Sequence, residues 1–142
     1  MRILVIEDSR LLQFALNRML TKAGHQVVVF GDGHQGLIHA QHYPPDLILL
    51  DMMLPTLEGT SVLRCLKRDP LTNPIPVVVV SGLSQKNEEK LRKEGAAGFL
   101  EKSSLNLDDD GRSFVQALRQ VLGTSDTYAA KEIAASTAAG KA

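Results

Sequence analysis

The strongest constraint on this chain is a strict alternation of two hydrophobic periods. Short apolar runs recur at "ILVI" (3–6), "QVVVF" (26–30), "DLILL" (46–50), "PVVVV" (76–80) and "GFL" (98–100). Most are unbroken rather than alternating, which suits strands covered on both faces of a parallel sheet. Helical periods lie between them. Leu12, Ala15, Leu16, Met19, Leu20 and Ala23 form one stripe, with Gly24 placed to end it. Phe114, Ala117, Leu118, Val121 and Leu122 form another, stopped by Gly123. Leu37 with Ile38, and Val62, Leu63 and Leu66, mark two shorter helices. Five βα units in strict alternation predict a doubly wound α/β sandwich with helices on both faces.

Two segments depart from this pattern. "SQKNEEKLRKEG" (84–95) has good helix formers, but Leu91 is its only large apolar residue. That helix is expected to be thinly packed and easily moved. Residues 124–142 turn to an Ala/Ser/Thr composition with no apolar face, so they read as a linker or a frayed helix. The expected organisation is one domain over 1–123 followed by a flexible tail over 124–142. The balance of 16 basic and 16 acidic residues excludes a global basic field for nucleic acid. Cys65 allows no intrachain disulfide; it fits a reducing compartment and, within a helical period, a packing role. The N-terminus runs straight into "RILVIED" without a signal-peptide core. No apolar stretch approaches the ~20 residues that span a membrane. A soluble, cytoplasmic chain is expected.

In open parallel sheets, function gathers beyond the carboxyl ends of the strands. The first strand here ends in Glu7-Asp8, the second in Gly31-Asp32-Gly33, and the third in Asp51. The fourth ends in Ser81-Gly82, and the fifth runs through Phe99 to Glu101-Lys102. A lone acid at a strand end is ordinarily a turn former or helix cap. Four strand ends that agree in chemistry are not explained that way. Three carboxylates at one edge repel each other, so either a proton is held or a cation is bound. Hard oxygen ligands suit Mg²⁺, which keeps waters and phosphate oxygens for its remaining positions. Lys102 supplies an ammonium able to pair with Asp51 or with a phosphoryl oxygen. Ser81 supplies a hydroxyl. That set suggests phosphoryl transfer, in which a carboxylate can itself be the nucleophile.

The segments carrying this chemistry are "ILVIEDS", "DLILLDMMLPTLEG" with Pro55 and Gly59, "PVVVVSG" and "GFLEK". Together they resemble the receiver domain of two-component response regulators, over about residues 1–123. The resemblance implies a flavodoxin-like, five-stranded parallel sheet in the order 2-1-3-4-5. It implies Asp51 as phosphoacceptor and Mg²⁺, replaceable by Mn²⁺, on Glu7, Asp8, Asp51 and the Met53 backbone carbonyl. Ser81 would hydrogen-bond the phosphoryl group, Lys102 would pair with it, and Phe99 would turn inward as Ser81 moves. The implied donor is a histidine kinase or histidine phosphotransfer protein. The implied output is a downstream protein or domain, or a phosphorylation-dependent dimer, met through the fourth helix, fifth strand and fifth helix. Neither nucleic acid nor membrane is an implied partner of this segment. One departure stands out. The family usually has a proline after its lysine, joined by a cis bond, whereas Ser103 follows Lys102 here. A cis bond to a non-proline costs about 3 kcal/mol, so cis and trans geometries both stay open. Met53 and Leu83 are expected to flank the phosphoryl pocket and hinder attacking water.

Other motifs carry less. "GDGHQG" (31–36) matches the dinucleotide-binding pattern, but it follows the second strand, whereas that motif belongs in the first turn. It is expected to be a glycine-containing turn and helix start. His34, His39 and His42 lack the cysteines or acids that would complete a zinc site, so exposed helix histidines are expected. A Mg²⁺-dependent aspartyl-phosphate phosphatase would carry a second Asp at position 53, which is Met. A flavodoxin-like FMN carrier would need a phosphate-binding first loop, and Glu7-Asp8-Ser9 is acidic.

Overall fold

The computed structural model describes residues 1–54, 57–82, 88–105 and 107–123. The expectations for Pro55, for Leu83 and for the tail 124–142 lie outside the described residues. Among the described residues, five strands, β1 (Arg2–Ile6), β2 (Gln26–Phe30), β3 (Leu47–Leu50), β4 (Val77–Ser81) and β5 (Gly98–Glu101), alternate with five α-helices. The helices are α1 (Arg10–Lys22), α2 (Gly33–His42), α3 (Gly59–Arg68), α4 (Glu88–Lys93) and α5 (Arg112–Leu122). The strands form one parallel sheet in the order β2-β1-β3-β4-β5. This is the doubly wound, flavodoxin-like arrangement that the alternation and the resemblance imply.

The unbroken apolar runs hide a period of two. Ile3, Val5, Leu47, Leu49, Val78 and Val80 face one side, where α1 and α5 cover them with Leu16, Leu20, Phe114 and Leu118. Leu4, Ile6, Ile48, Leu50, Val77 and Val79 face the other, under Leu37, Val62, Leu63, Leu66 and Leu91. Each central strand must therefore be apolar at every position. β2 differs, because it lies at the sheet edge: none of its residues is fully buried, and Val28 is 42% exposed.

Local chemistry sets the helix ends. The Ser9 side chain caps α1 by accepting from the Leu12 N–H. Gly24 follows α1 at a φ of +97°, in the left-handed region that glycine tolerates. Of the 84–95 helix, the described part is Glu88–Lys93. Leu91 is its one buried residue there, and Glu88–Arg92 and Glu89–Lys93 pair along its surface.

Two expectations are corrected. Cys65 is exposed, because Val62, Leu63 and Leu66 already supply the inward stripe of α3 and position 65 falls beside it. It has no packing role in the core. His34 and His42 are exposed as expected, but His39 is half-buried, its ring tilted against those of Phe30 and Tyr43. "GDGHQG" is a helix start: Asp32 caps α2 through the N–H groups of His34 and Gln35. Gly36 has no Cβ because one would lie 2.7 Å from Ile6 on β1. The motif serves close helix–sheet packing.

Candidate functional site

The carboxyl ends of β1, β3, β4 and β5 converge at one edge of the sheet. β1 delivers Glu7 and Asp8, and β3 delivers Asp51 one residue past Leu50. The loop after β3 is drawn in tightly. Gly59 opens α3 so close to Asp51 and Met52 that any Cβ would overlap their backbone. Ser81 closes β4 opposite Glu101 of β5, and Lys102 follows directly. The Lys102 stem runs beside Gly82, where a Cβ would lie 3.7 Å from its Cδ.

Glu7 and Asp51 are buried, at 3% and 2% exposure, whereas Asp8 is exposed. Carboxylate oxygens of the three acids lie within 4.8 Å of one another. Lys102 Nζ stands 2.8 Å from Glu7 Oε1 and 3.3 Å from Asp51 Oδ2. The Lys102–Ser103 bond is trans, and the ammonium still reaches both acids. The Met53 N–H donates to Asp51 Oδ1 at 3.2 Å, while the Met53 side chain stands 63% exposed. Asp51 Oδ2, though buried and near the ammonium, accepts no well-formed hydrogen bond among the described residues.

The electrostatics follow from this crowding. Burial pushes the Glu7 carboxyl up to about 7, helped by its hydrogen bond to Asp51 and opposed by Lys102. A protonated Glu7 donates to Asp51 in that hydrogen bond. Burial works against the Lys102 charge, but the hydrogen bond and charge of Glu7, then those of Asp51, outweigh it and hold its pKa above the usual value. A buried acid oxygen short of a donor and a neighbouring acid whose pKa is raised by burial both mark missing positive charge. Three convergent oxygen ligands, one of them open to solvent, fit a hard divalent cation.

Metal-free stability should therefore depend on pH through Glu7. An acid whose pKa rises on folding binds its proton more tightly when folded. Its stabilisation is complete below about 4.5 and is lost as pH rises through about 7. Its size is on the order of 3 kcal/mol. Urea unfolding in a chelator should show Glu7→Gln gaining on wild type between pH 4.5 and 7.5. Parallel pH profiles for the two proteins would contradict this assignment.

Phe99 lies half-buried on the α3/α4 side of the sheet, with the Arg92 guanidinium 5.3 Å from its ring centroid. The contacts of Arg92 with Phe99, and of Lys102 with Glu7, had no signal in the sequence, because neither spacing nor period pairs these positions.

The model of the response regulator receiver domain matches residues 3–108. The chain belongs to the response regulator receiver domain family. It is 35% identical over 102 residues to Protein PilH of Pseudomonas aeruginosa, a match covering 71% of this chain and 84% of PilH. It is 39% identical over 102 residues to Response regulator PleD of Caulobacter vibrioides, covering 71% of this chain but 22% of PleD. Among solved structures, it superposes with a TM-score of 0.72 on the receiver domain of a sensor histidine kinase from Pseudomonas aeruginosa. That receiver is 25% identical, with 86% of this chain and 97% of the other covered, and carries a magnesium ion coordinated in its active-site cleft. As a receiver domain of two-component signalling, the chain is a signalling module. No helix among the described residues is long and apolar enough to cross a membrane.

Proposed function

We propose that this receiver domain accepts a phosphoryl group from a phosphohistidine onto Asp51, with Mg²⁺ held by Glu7, Asp8, Asp51 and the Met53 backbone carbonyl. The observation that carries the reading is the buried Asp51 oxygen short of a donor, within reach of two further carboxylates and one ammonium. Bound Mg²⁺ would neutralise the carboxylates and the charge of the incoming phosphoryl group. Mn²⁺ satisfies the same oxygen set. Asp51 supplies the attacking oxygen, Lys102 pairs with the transferred group, and Ser81 donates its hydroxyl to it. The domain thus assists its own phosphorylation and dephosphorylation.

The signal would leave through α4, β5 and α5. α4 rests on one buried leucine among its described residues and touches Phe99 through Arg92. Phosphorylation would shift an existing equilibrium of Ser81, α4 and Phe99. The donor is a histidine kinase or histidine phosphotransfer protein, and the recipient is a partner or output domain. We assign residues 1–123 to the receiver and 124–142 to a tail or linker.

Met53 stands exposed two residues beyond the acceptor, where its side chain can obstruct the approach of water. Met53→Asn should shorten the life of the phosphorylated state severalfold, measured as phosphate release after donor removal. An unchanged release rate would refute the shielding role. Mass spectrometry of the phosphorylated chain tests the whole reading, as set out below.

A further inference from the structure

Asp8 is the exposed member of the acidic trio, and its carboxylate makes no hydrogen bond among the described residues. Its position therefore depends on the backbone that carries it. That backbone is gripped on both sides of Glu7. The Glu7 N–H donates to the Phe30 carbonyl at 3.0 Å, continuing the β1–β2 ladder one residue past the strand. The Glu7 carbonyl accepts from Gln13 Nε2 at 2.5 Å. Gln13 lies in the first turn and a half of α1, and Gly31 at the end of β2 leaves it room. A Cβ at Gly31 would lie 3.0 Å from Gln13 Nε2 and 3.7 Å from the Glu7 carbonyl oxygen.

We infer that Gln13 is a positioning residue for the divalent-metal site, with Gly31 as the space that admits it. Its amide ties the peptide between Glu7 and Asp8 to α1, so both carboxylates are held at one edge against their mutual repulsion. Without that tie, the peptide can rotate and Asp8 can swing toward solvent. The metal would then have to order the loop as it binds, at a cost in affinity. Gln13 touches neither the metal nor the phosphoryl group and acts through Glu7 and Asp8 alone. The inference rests on the reading of Glu7, Asp8 and Asp51 as metal ligands.

The test is a Mg²⁺ titration followed by the amide NMR signals of Asp8 and Met53. Wild type is compared with Gln13→Met, similar in length but unable to donate, and with Gly31→Ala, which crowds the amide without removing it. Each variant should bind Mg²⁺ about tenfold more weakly, and the double variant should be no worse than the weaker single one. Phosphorylation by a small phosphodonor should need correspondingly more Mg²⁺ for half-maximal rate, with the rate at saturating Mg²⁺ unchanged. Wild-type affinity in folded Gln13→Met and Gly31→Ala would overturn the proposal, as would a loss confined to the saturated rate. Wild type that binds no Mg²⁺ would overturn the metal assignment itself, and the proposal with it.

Discussion

Incubated with a small phosphodonor and Mg²⁺, the wild-type chain should gain one phosphoryl group, and Asp51→Asn should gain none. Intact mass reads the result directly. Three carboxylates share the edge, so the prediction is sharper than a loss of activity. Asp8 is the exposed acid and would be the labelled one if access alone decided. Asp51 would be chosen instead by its surroundings. Its Oδ1 is oriented by the Met53 N–H, and its Oδ2 faces the ammonium without a well-formed bond. Equal labelling of wild type and Asp51→Asn would move the acceptor elsewhere. At pH 8, above the Glu7 pKa of about 7, the same substitution removes one of two buried like charges and leaves Lys102 paired with Glu7. Asp51→Asn should thus be more stable than wild type in chelator, by about 1 kcal/mol.

Lys102→Met should fail in two distinguishable ways. The first is stability. The ammonium lies within 3.3 Å of both buried acids. Taking it away leaves buried carboxylates without their cation and should cost about 3 kcal/mol at pH 8 in chelator. Mg²⁺ should recover more of that loss in the variant than it adds to wild type, since it supplies charge to the same oxygens. The second is chemistry. At saturating Mg²⁺ and full folding, phosphorylation should still fall about a hundredfold, because one stabiliser of the transferred group is gone. A variant as stable as wild type in chelator would remove Lys102 from the electrostatics described above. A full phosphorylation rate would leave it a structural role only.

The fold was largely legible because the pattern is redundant. Short unbroken runs at 46–50 and 76–80, bounded by turn signals, suit strands covered twice, and the α1 and α5 stripes each repeat over more than two turns. Where one physical signal stood alone, it misled. Cys65 lies in a helical period, yet the stripe of α3 is complete without it, and a period does not say how wide the buried face is. His39 looked like any surface histidine, and its aromatic neighbours come from β2 and from the residue just past the end of α2. The acids and Lys102 were legible because every strand points its end to one edge. Their pairing was not. Lys102 was expected to meet Asp51 or phosphate, and its shorter contact is to Glu7. The trans bond at Ser103 was also undecided by the sequence, since both isomers can bring a long flexible side chain to the same place. Gln13 left no trace at all: its role arises from the space above Gly31, which only the folded backbone creates.

Leu91 would give the proposed switch its energy scale. Burying one leucine side chain is worth about 1.5–3 kcal/mol. Free energies that couple two sites in a protein are typically about 1–3 kcal/mol. With one buried leucine among its described residues, α4 would therefore be held about as strongly as the proposed phosphorylation of Asp51 could pull. A second apolar anchor on α4 would make the domain deaf, still phosphorylated but unable to report it. Loss of Leu91 would make it speak without being addressed. The sparse apolar content of its described residues would match the loudness of the signal proposed for it.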